Sequence, residues 1–258
     1  MAVNETLIHH ASDWIDWVDA SGSSDHQPLI TNPLQLQLDD APRDLRLISH
    51  NGRTRLWRQQ PDALHQVVEG RASAAQLAYP ATASFAIAGE IRDQQRRFNP
   101  RRFALSAGNA AGHSVELFRS PLGSRIGAGG ALRGNARFDA NTPASWAVLS
   151  ITVTPLVGPA LSFRAQADHA GDFVLAMHRL PALAKDITPR VYDAELSAQA
   201  LLAASDTDIA DPDQFVAAEI GDTENDTLFA TTIEFTVSPG AVSNLTSKGQ
   251  PHLVLRIP

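Results

Sequence analysis

Apolar and polar residues alternate with period two through much of the chain, and this pattern predicts strands. In Ala-Ser-Trp-Ala-Val-Leu-Ser-Ile-Thr-Val-Thr-Pro (144–155), Ala147, Leu149, Ile151 and Val153 share one parity, and Trp146, Val148, Ser150 and Thr152 share the other. Successive side chains of a strand point to opposite faces, so such a run buries one side only. Leu-Ser-Phe-Arg-Ala-Gln-Ala-Asp (161–168) and Asp-Phe-Val-Leu-Ala-Met (172–177) follow, joined by His-Ala-Gly. Two alternating runs joined by a short Gly-containing segment predict a β-hairpin, with Gly171 supplying the positive φ. Further strands are expected at 34–38, 45–49, 54–58, 85–93, 102–107, 114–118, 132–138, 191–200, 232–237 and 252–257. Asn51-Gly52 between two of these runs signals a second hairpin.

Outside the alternating runs the pattern changes. Leu7, Ala11, Trp14 and Val18 recur at helical spacing behind Asn4, so residues 4–20 are expected to form a short amphipathic helix. Ser21 to Pro33 reads as a polar linker, Gly123 to Gly130 as an exposed loop, and Ser205 to Asp226 as an acidic loop. The Ala-rich passage 71–82 is the best candidate boundary. Three regions result: a helix and hairpin region at 1–80, a β-sandwich at 81–202, and an acidic loop with closing strands at 203–258.

The run 132–139, the strand 143–153 and Ala-Gln-Ala-Asp-His-Ala-Gly-Asp-Phe-Val-Leu (165–175) together resemble the carboxypeptidase regulatory-like domain. Ile87-Ala-Gly-Glu-Ile-Arg-Asp93 is similar to that family's opening strand. Where the family usually has Pro-x-x-Gly-Ala, this chain has Pro143-Ala-Ser-Trp146-Ala147. The resemblance implies a seven-stranded transthyretin-like antiparallel β-sandwich; with the other expected strands and the N-terminal helix, the chain reads as mainly β with an additional β-rich lobe. It also implies an accessory or assembly module rather than an enzyme, although a fold alone does not fix a function.

Composition narrows the chemistry. The absence of cysteine removes disulfides, zinc–thiolate sites and thiol nucleophiles. The first residues lack the basic start and apolar core of a secretory signal, and no run approaches the roughly eighteen apolar residues of a membrane span. Synthesis in the cytosol is therefore expected. The net charge of −7 is unevenly spread: residues 43–137 hold fifteen Arg against six acidic residues, and 185–258 hold four basic against twelve acidic. Only two of the twenty-one basic residues are Lys, which suits Arg-mediated protein contacts or reflects a GC-rich genome.

Candidate chemistry is sparse. Gly112-His-Ser114-Val-Glu116 departs from a nucleophile elbow at its last position, and Gly127 to Gly134 leads into a strand rather than a phosphate-binding helix. Asp206, Asp208, Asp211 and Asp213 alternate as calcium ligands do, but lack the Gly and distal Glu of an EF-hand loop. His9, His10 and Asp13 form a weak metal pattern. Asp168 and Asp172 are expected to cap the turn between them. Arg96, Arg97, Arg101 and Arg102, interleaved with Phe98 and Phe103, match a nucleic-acid stacking patch in composition. The negative total favours an acidic protein partner instead, with the chain's own acidic region one candidate. Trp146, Gly171 and Phe173 are expected to be structural, with a sugar-stacking platform the alternative role for Trp146.

These readings converge on a non-enzymatic structural protein without cofactor or metal. It would act through protein–protein contacts as a homo-oligomer, in an assembly such as a phage tail or contractile injection particle. The alternative is a carbohydrate- or calcium-binding module.

Overall fold

A computed structural model describes residues 13–23, 27–43, 45–58, 84–108, 111–155, 157–183, 190–201 and 209–258. Almost all regular structure in them is strand. The first strands are β1 (Asp13–Asp19), β2 (Gly22–Ser23), β3 (Leu34–Leu38), β4 (Leu45–His50) and β5 (Arg53–Arg58). Then come β6 (Phe85–Asp93), β7 (Arg101–Ala107), β8 (Gly112–Leu117) and β9 (Ala131–Arg137). The middle of the chain gives β10 (Val148–Thr154), β11 (Leu161–Gln166), β12 (Asp172–Ala176) and β13 (Tyr192–Ala200). A one-turn 3-10 helix (Pro212–Gln214) precedes β14 (Val216–Gly221), β15 (Phe229–Ala230), β16 (Thr232–Val237), β17 (Val242–Asn244) and β18 (Leu253–Arg256).

Two hydrophobic cores organise these strands. A four-stranded sheet in the order β4-β5-β1-β8 and a three-stranded sheet β3-β6-β7 enclose Ile15, Trp17, Leu56, Ile91, Phe103 and Leu117. The remaining strands make an eleven-stranded sheet that curls into a half-barrel. Leu149, Ile151, Val153, Phe163, Phe173 and Leu196, each almost fully buried, fill its inside. The alternation of β10 and β13 explains this core: their odd and even residues, respectively, face it while Ser150, Thr152, Asp193 and Glu195 face outward.

Where the lobes meet, Ala20, Phe118 and Val148 form a small third cluster. Polar bonds complete the junction. Buried Asn99 donates through Nδ2 to the carbonyl of Ala167 at 3.1 Å and to Gln166 Oε1 at 3.2 Å. Arg164 meets Glu116 at 2.7 Å, and Gln27 donates to the same carboxylate at 2.7 Å.

Several sequence expectations hold. The hairpin β4–β5 turns at Asn51 (φ 47°) and Gly52 (φ 78°), the left-handed pair that a type I′ turn requires. Others are corrected. Residues 13–19 form strand β1, not helix, paired antiparallel with β5 and parallel with β8; residues 1–12 lie outside the described set. The reason is that Asp13 and Asp19 are buried, each carboxylate satisfied by hydrogen bonds, so acidic residues do not mark the outer face here. Ala144–Ala147 is a turn, with Trp146 at φ 65°, and the strand starts at Val148.

The segment from β11 to β12 turns at Gly171 as expected, but the two strands do not pair. β11 bonds to β10 and β2, while β12 bonds to β9 at the far end of the curled sheet. The turn is therefore an arch that carries the chain across the half-barrel. Phe85–Asp93 pairs with β3 and β7 around the first core, so the strands expected in one sandwich over 81–202 divide between both cores. Within the expected acidic loop, Val216–Gly221 is a strand, bonded to β13, β15 and β18. The candidate boundary at 71–82 lies outside the described residues.

Candidate functional site

The tight turn after β6 holds the first basic residues of interest. Asp93, 6% exposed, accepts hydrogen bonds from the backbone N–H of Gln95 at 3.0 Å and of Arg97 at 2.9 Å. Arg96 adopts a left-handed φ of 56° and is exposed. Arg97 sits half-buried, its Nε 3.9 Å from Asp93. Phe98 and Phe103 are buried in the first core, Phe98 beneath the guanidinium of Arg119 at 5.1 Å and Phe103 edge-on to Trp17 at 5.6 Å. They are packing residues and offer no stacking surface.

Arg101 and Arg102 diverge because they are neighbours on a strand. Arg102 is exposed and pairs with Asp39. Arg101 points inward, its side chain 4% exposed. It donates to the carbonyl of Glu116 at 2.8 Å, to Asp211 at 3.3 Å and to Asp213 at 2.5 Å. The basic run and the acidic segment thus meet within one chain. Asp211 also caps the 3-10 turn by accepting from Asp213 N–H at 3.2 Å.

The three residues expected to be structural are all buried. Trp146 is 5% exposed and lies 6.3 Å from the His169 ring, tilted by 40°. Phe173 is 1% exposed in the half-barrel core. Gly171 has φ 84°, and a Cβ there would collide with the carbonyl oxygen of Ala136. Asp168 caps the arch by accepting from the N–H groups of Ala170 (2.8 Å) and Asp172 (3.0 Å), while Asp172 accepts from Asn135 Nδ2 at 2.8 Å.

A cleft of about 510 Å³ brings several of these groups together at the junction of the lobes. Arg92, Arg96, Asp93, Trp146, Asp168 and His169 line it, and Leu122, 93% exposed, stands at its rim. Both carboxylates are occupied as backbone caps, and Arg92 is held by Glu90. Among the described residues, the cleft therefore presents hydrogen-bonding groups and one open guanidinium, that of Arg96. Among the described residues no group of three or more His, Asp or Glu is arranged to hold a metal.

The chain matches no family model, no curated protein and no solved structure.

A second surface escaped the sequence reading. On β4 and β5 the register sets Arg46 opposite Trp57, Ile48 opposite Arg55, and His50 opposite Arg53. All six are exposed, Ile48 at 54% and Trp57 at 37%. β1 extends the face with Trp14, whose ring lies against Gly112 and under Arg53 at 5.7 Å. Asp16 takes Arg53 in a two-pronged contact of 2.5 and 3.0 Å. Among the described residues Arg46 and Arg55 have no carboxylate partner. The signal was present in the sequence: Arg53, Arg55 and Trp57 share the parity opposite buried Thr54 and Leu56. His9, His10, Asp206 and Asp208 lie outside the described residues. Asp13 serves the fold by accepting from the N–H of Gly108 (2.6 Å) and Ala111 (3.0 Å), and Ser114 lies within β8.

Proposed function

We propose that this chain is a non-enzymatic assembly module that works through protein–protein contacts. The observation that carries the reading is the open face of β4, β5 and β1, where exposed Arg, Trp and Ile side chains stand together on a sheet. Arg and aromatic residues are the side chains enriched at the centres of protein interfaces, and they dominate binding energy there. The buried ionic groups point the same way: Asp13, Asp19, Asp93 and Arg101 each fix a loop or turn, as a rigid scaffold needs.

The uneven charge along the chain suits repeated contacts in a large particle, of the kind a phage tail or contractile injection system contains. The likeness to a carboxypeptidase regulatory-like domain fits a scaffold role. We place that likeness, and any transthyretin-like character, in β9–β13. A carbohydrate- or calcium-binding module is less well supported, because Trp146 presents little ring surface and Asp211 and Asp213 are engaged by Arg101.

Electron microscopy of the full chain co-expressed with the products of its neighbouring genes tests the reading. Ordered particles containing the chain are expected. A chain that joins no particle and stays apart from every co-expressed product overturns it.

A further inference from the structure

The cationic face of β4–β5 has a counterpart on the same chain. Asp193 and Glu195 point outward from β13, and Glu234 points outward from β16, where the ladder sets Glu195 directly opposite Glu234. All three are exposed. Like charges directly opposite in a ladder are destabilising. No cation among the described residues pairs with Asp193, Glu195 or Glu234, so none of them relieves this repulsion.

Resting on the assembly reading, we infer that the cationic face of β4–β5 docks on the acidic face of β13–β16 of a second copy. Each patch lies in a different lobe of the chain, around a different core. The contact is therefore heterologous: one copy's first lobe meets the next copy's second lobe, leaving one free patch of each kind to continue the series. Arg46 and Arg55 supply the unpaired cations, Ile48 and Trp57 the apolar surface that excludes water around them. Bringing the guanidinium groups over Glu195 and Glu234 relieves the like-charge pair, so the acidic face gains more from docking than an isolated carboxylate would. A nucleic acid is the less fitting occupant of the cationic face, because the chain carries a net −7 and Arg53 is already held by Asp16.

Sedimentation velocity of the full chain tests this over concentrations from about 5 to about 200 µM, the range of a micromolar contact. Runs at about 20 mM and about 500 mM salt differ in screening length by several-fold. The wild-type protein should grow in mass with concentration at low salt and fall back to monomer at high salt. The pairs Arg46→Gln with Arg55→Gln, and Glu195→Gln with Glu234→Gln, should each weaken self-association roughly tenfold or more. An equimolar mixture of the two double variants should form a one-to-one complex that does not grow, since each supplies one intact face. All four positions are exposed, so thermal melts no lower than wild type certify the fold, with Glu195→Gln/Glu234→Gln expected to melt slightly higher as the like-charge pair is removed.

A monomeric wild-type chain at low salt overturns the inference. So does undiminished association of the Glu195→Gln/Glu234→Gln variant, which would mean the acidic face takes no part in the contact. Tight binding of a single-stranded thymidine oligonucleotide by a chain that stays monomeric assigns the face to nucleic acid and also overturns it. A chain that is monomeric alone yet enters particles with its co-expressed neighbours refutes this contact while leaving the assembly reading intact.

Discussion

The Arg101 cluster separates two ways of ranking ion pairs. By distance, Asp213 at 2.5 Å is the closer partner and Asp211 at 3.3 Å the more remote. By burial the order reverses, since the Asp211 side chain is 9% exposed and that of Asp213 is 72% exposed. Water screens an exposed pair to about 0–1 kcal/mol, whereas removing one member of a buried pair costs about 3–5 kcal/mol. Arg101→Met leaves the Asp211 carboxylate without its cation and the Glu116 carbonyl without a charged donor. It should therefore cost about 3–5 kcal/mol. Asp211→Asn keeps an acceptor for the 3-10 cap and leaves Arg101 one exposed partner, for a loss of about 2–3 kcal/mol. Asp213→Asn should cost no more than about 1 kcal/mol.

Urea unfolding followed by tryptophan fluorescence gives all three values, and double-mutant cycles give the couplings. The Arg101–Asp211 coupling should exceed the Arg101–Asp213 coupling by about 1 kcal/mol or more. If Asp213→Asn matches or exceeds Asp211→Asn, or Arg101→Met costs less than about 1 kcal/mol, the burial argument is wrong.

Three other predictions follow from single positions. Gly171→Ala should lower stability by about 2–5 kcal/mol in chemical denaturation, combining left-handed backbone strain with a forced shift of the Ala136 carbonyl. Burial, with Arg137 nearby, holds the His252 pKa below its ordinary 6.5, so the folded state favours the neutral ring. Stability should therefore decline as pH falls below about 6.5 and level off once the folded-state pKa is passed, a slope that His252→Asn removes in thermal melts taken across pH. Asp139 accepts hydrogen bonds from Asn141 N–H (2.8 Å), Thr142 N–H (2.8 Å) and the Thr142 hydroxyl (2.9 Å), which hold its pKa below 3.8. Asp139→Ala should then be less stable than wild type above that pH, with the gap closing as pH falls through the folded-state pKa; a gap that persists in acid would refute the assignment.

The strands that the sequence reveals are those in which one face is apolar and the other polar. β3, β6, β7, β9, β10, β11, β13 and β16 follow that rule, while β4 and β5, with Ile48 and Trp57 on their outer face, are signalled by the Asn51-Gly52 turn that joins them. β1 is illegible for a physical reason: its inward row includes Asp13 and Asp19, whose carboxylates are satisfied inside the fold by partners about a hundred residues away. With those two read as outward, helical spacing fits better than alternation. β14 is hidden because Val216-Ala-Ala-Glu-Ile-Gly221 alternates weakly and owes its strand form to three neighbours.

The arch at Gly171 shows where local chemistry stops. Asp168, Gly171 and Asp172 make the same capped turn whether the flanking strands pair or part, and the ladder partners that decide between them lie elsewhere in the chain. The site was legible in part. The basic run was visible as charge, but parity had to separate buried Arg101 from exposed Arg102. The cationic face is half legible in the parity of the β4–β5 hairpin, and is completed only when β1, some thirty residues earlier, is set beside β5.

Hydrogen exchange of the full chain tests the central claim most directly, comparing concentrated low-salt protein with dilute high-salt protein. Self-docking predicts slowed exchange in Leu45–Arg58 and in the outer strands Tyr192–Ala200 and Thr232–Val237, with the lining of the Trp146 cleft unchanged. Equal exchange at both patches under the two conditions, or slowing confined to the cleft, would contradict it.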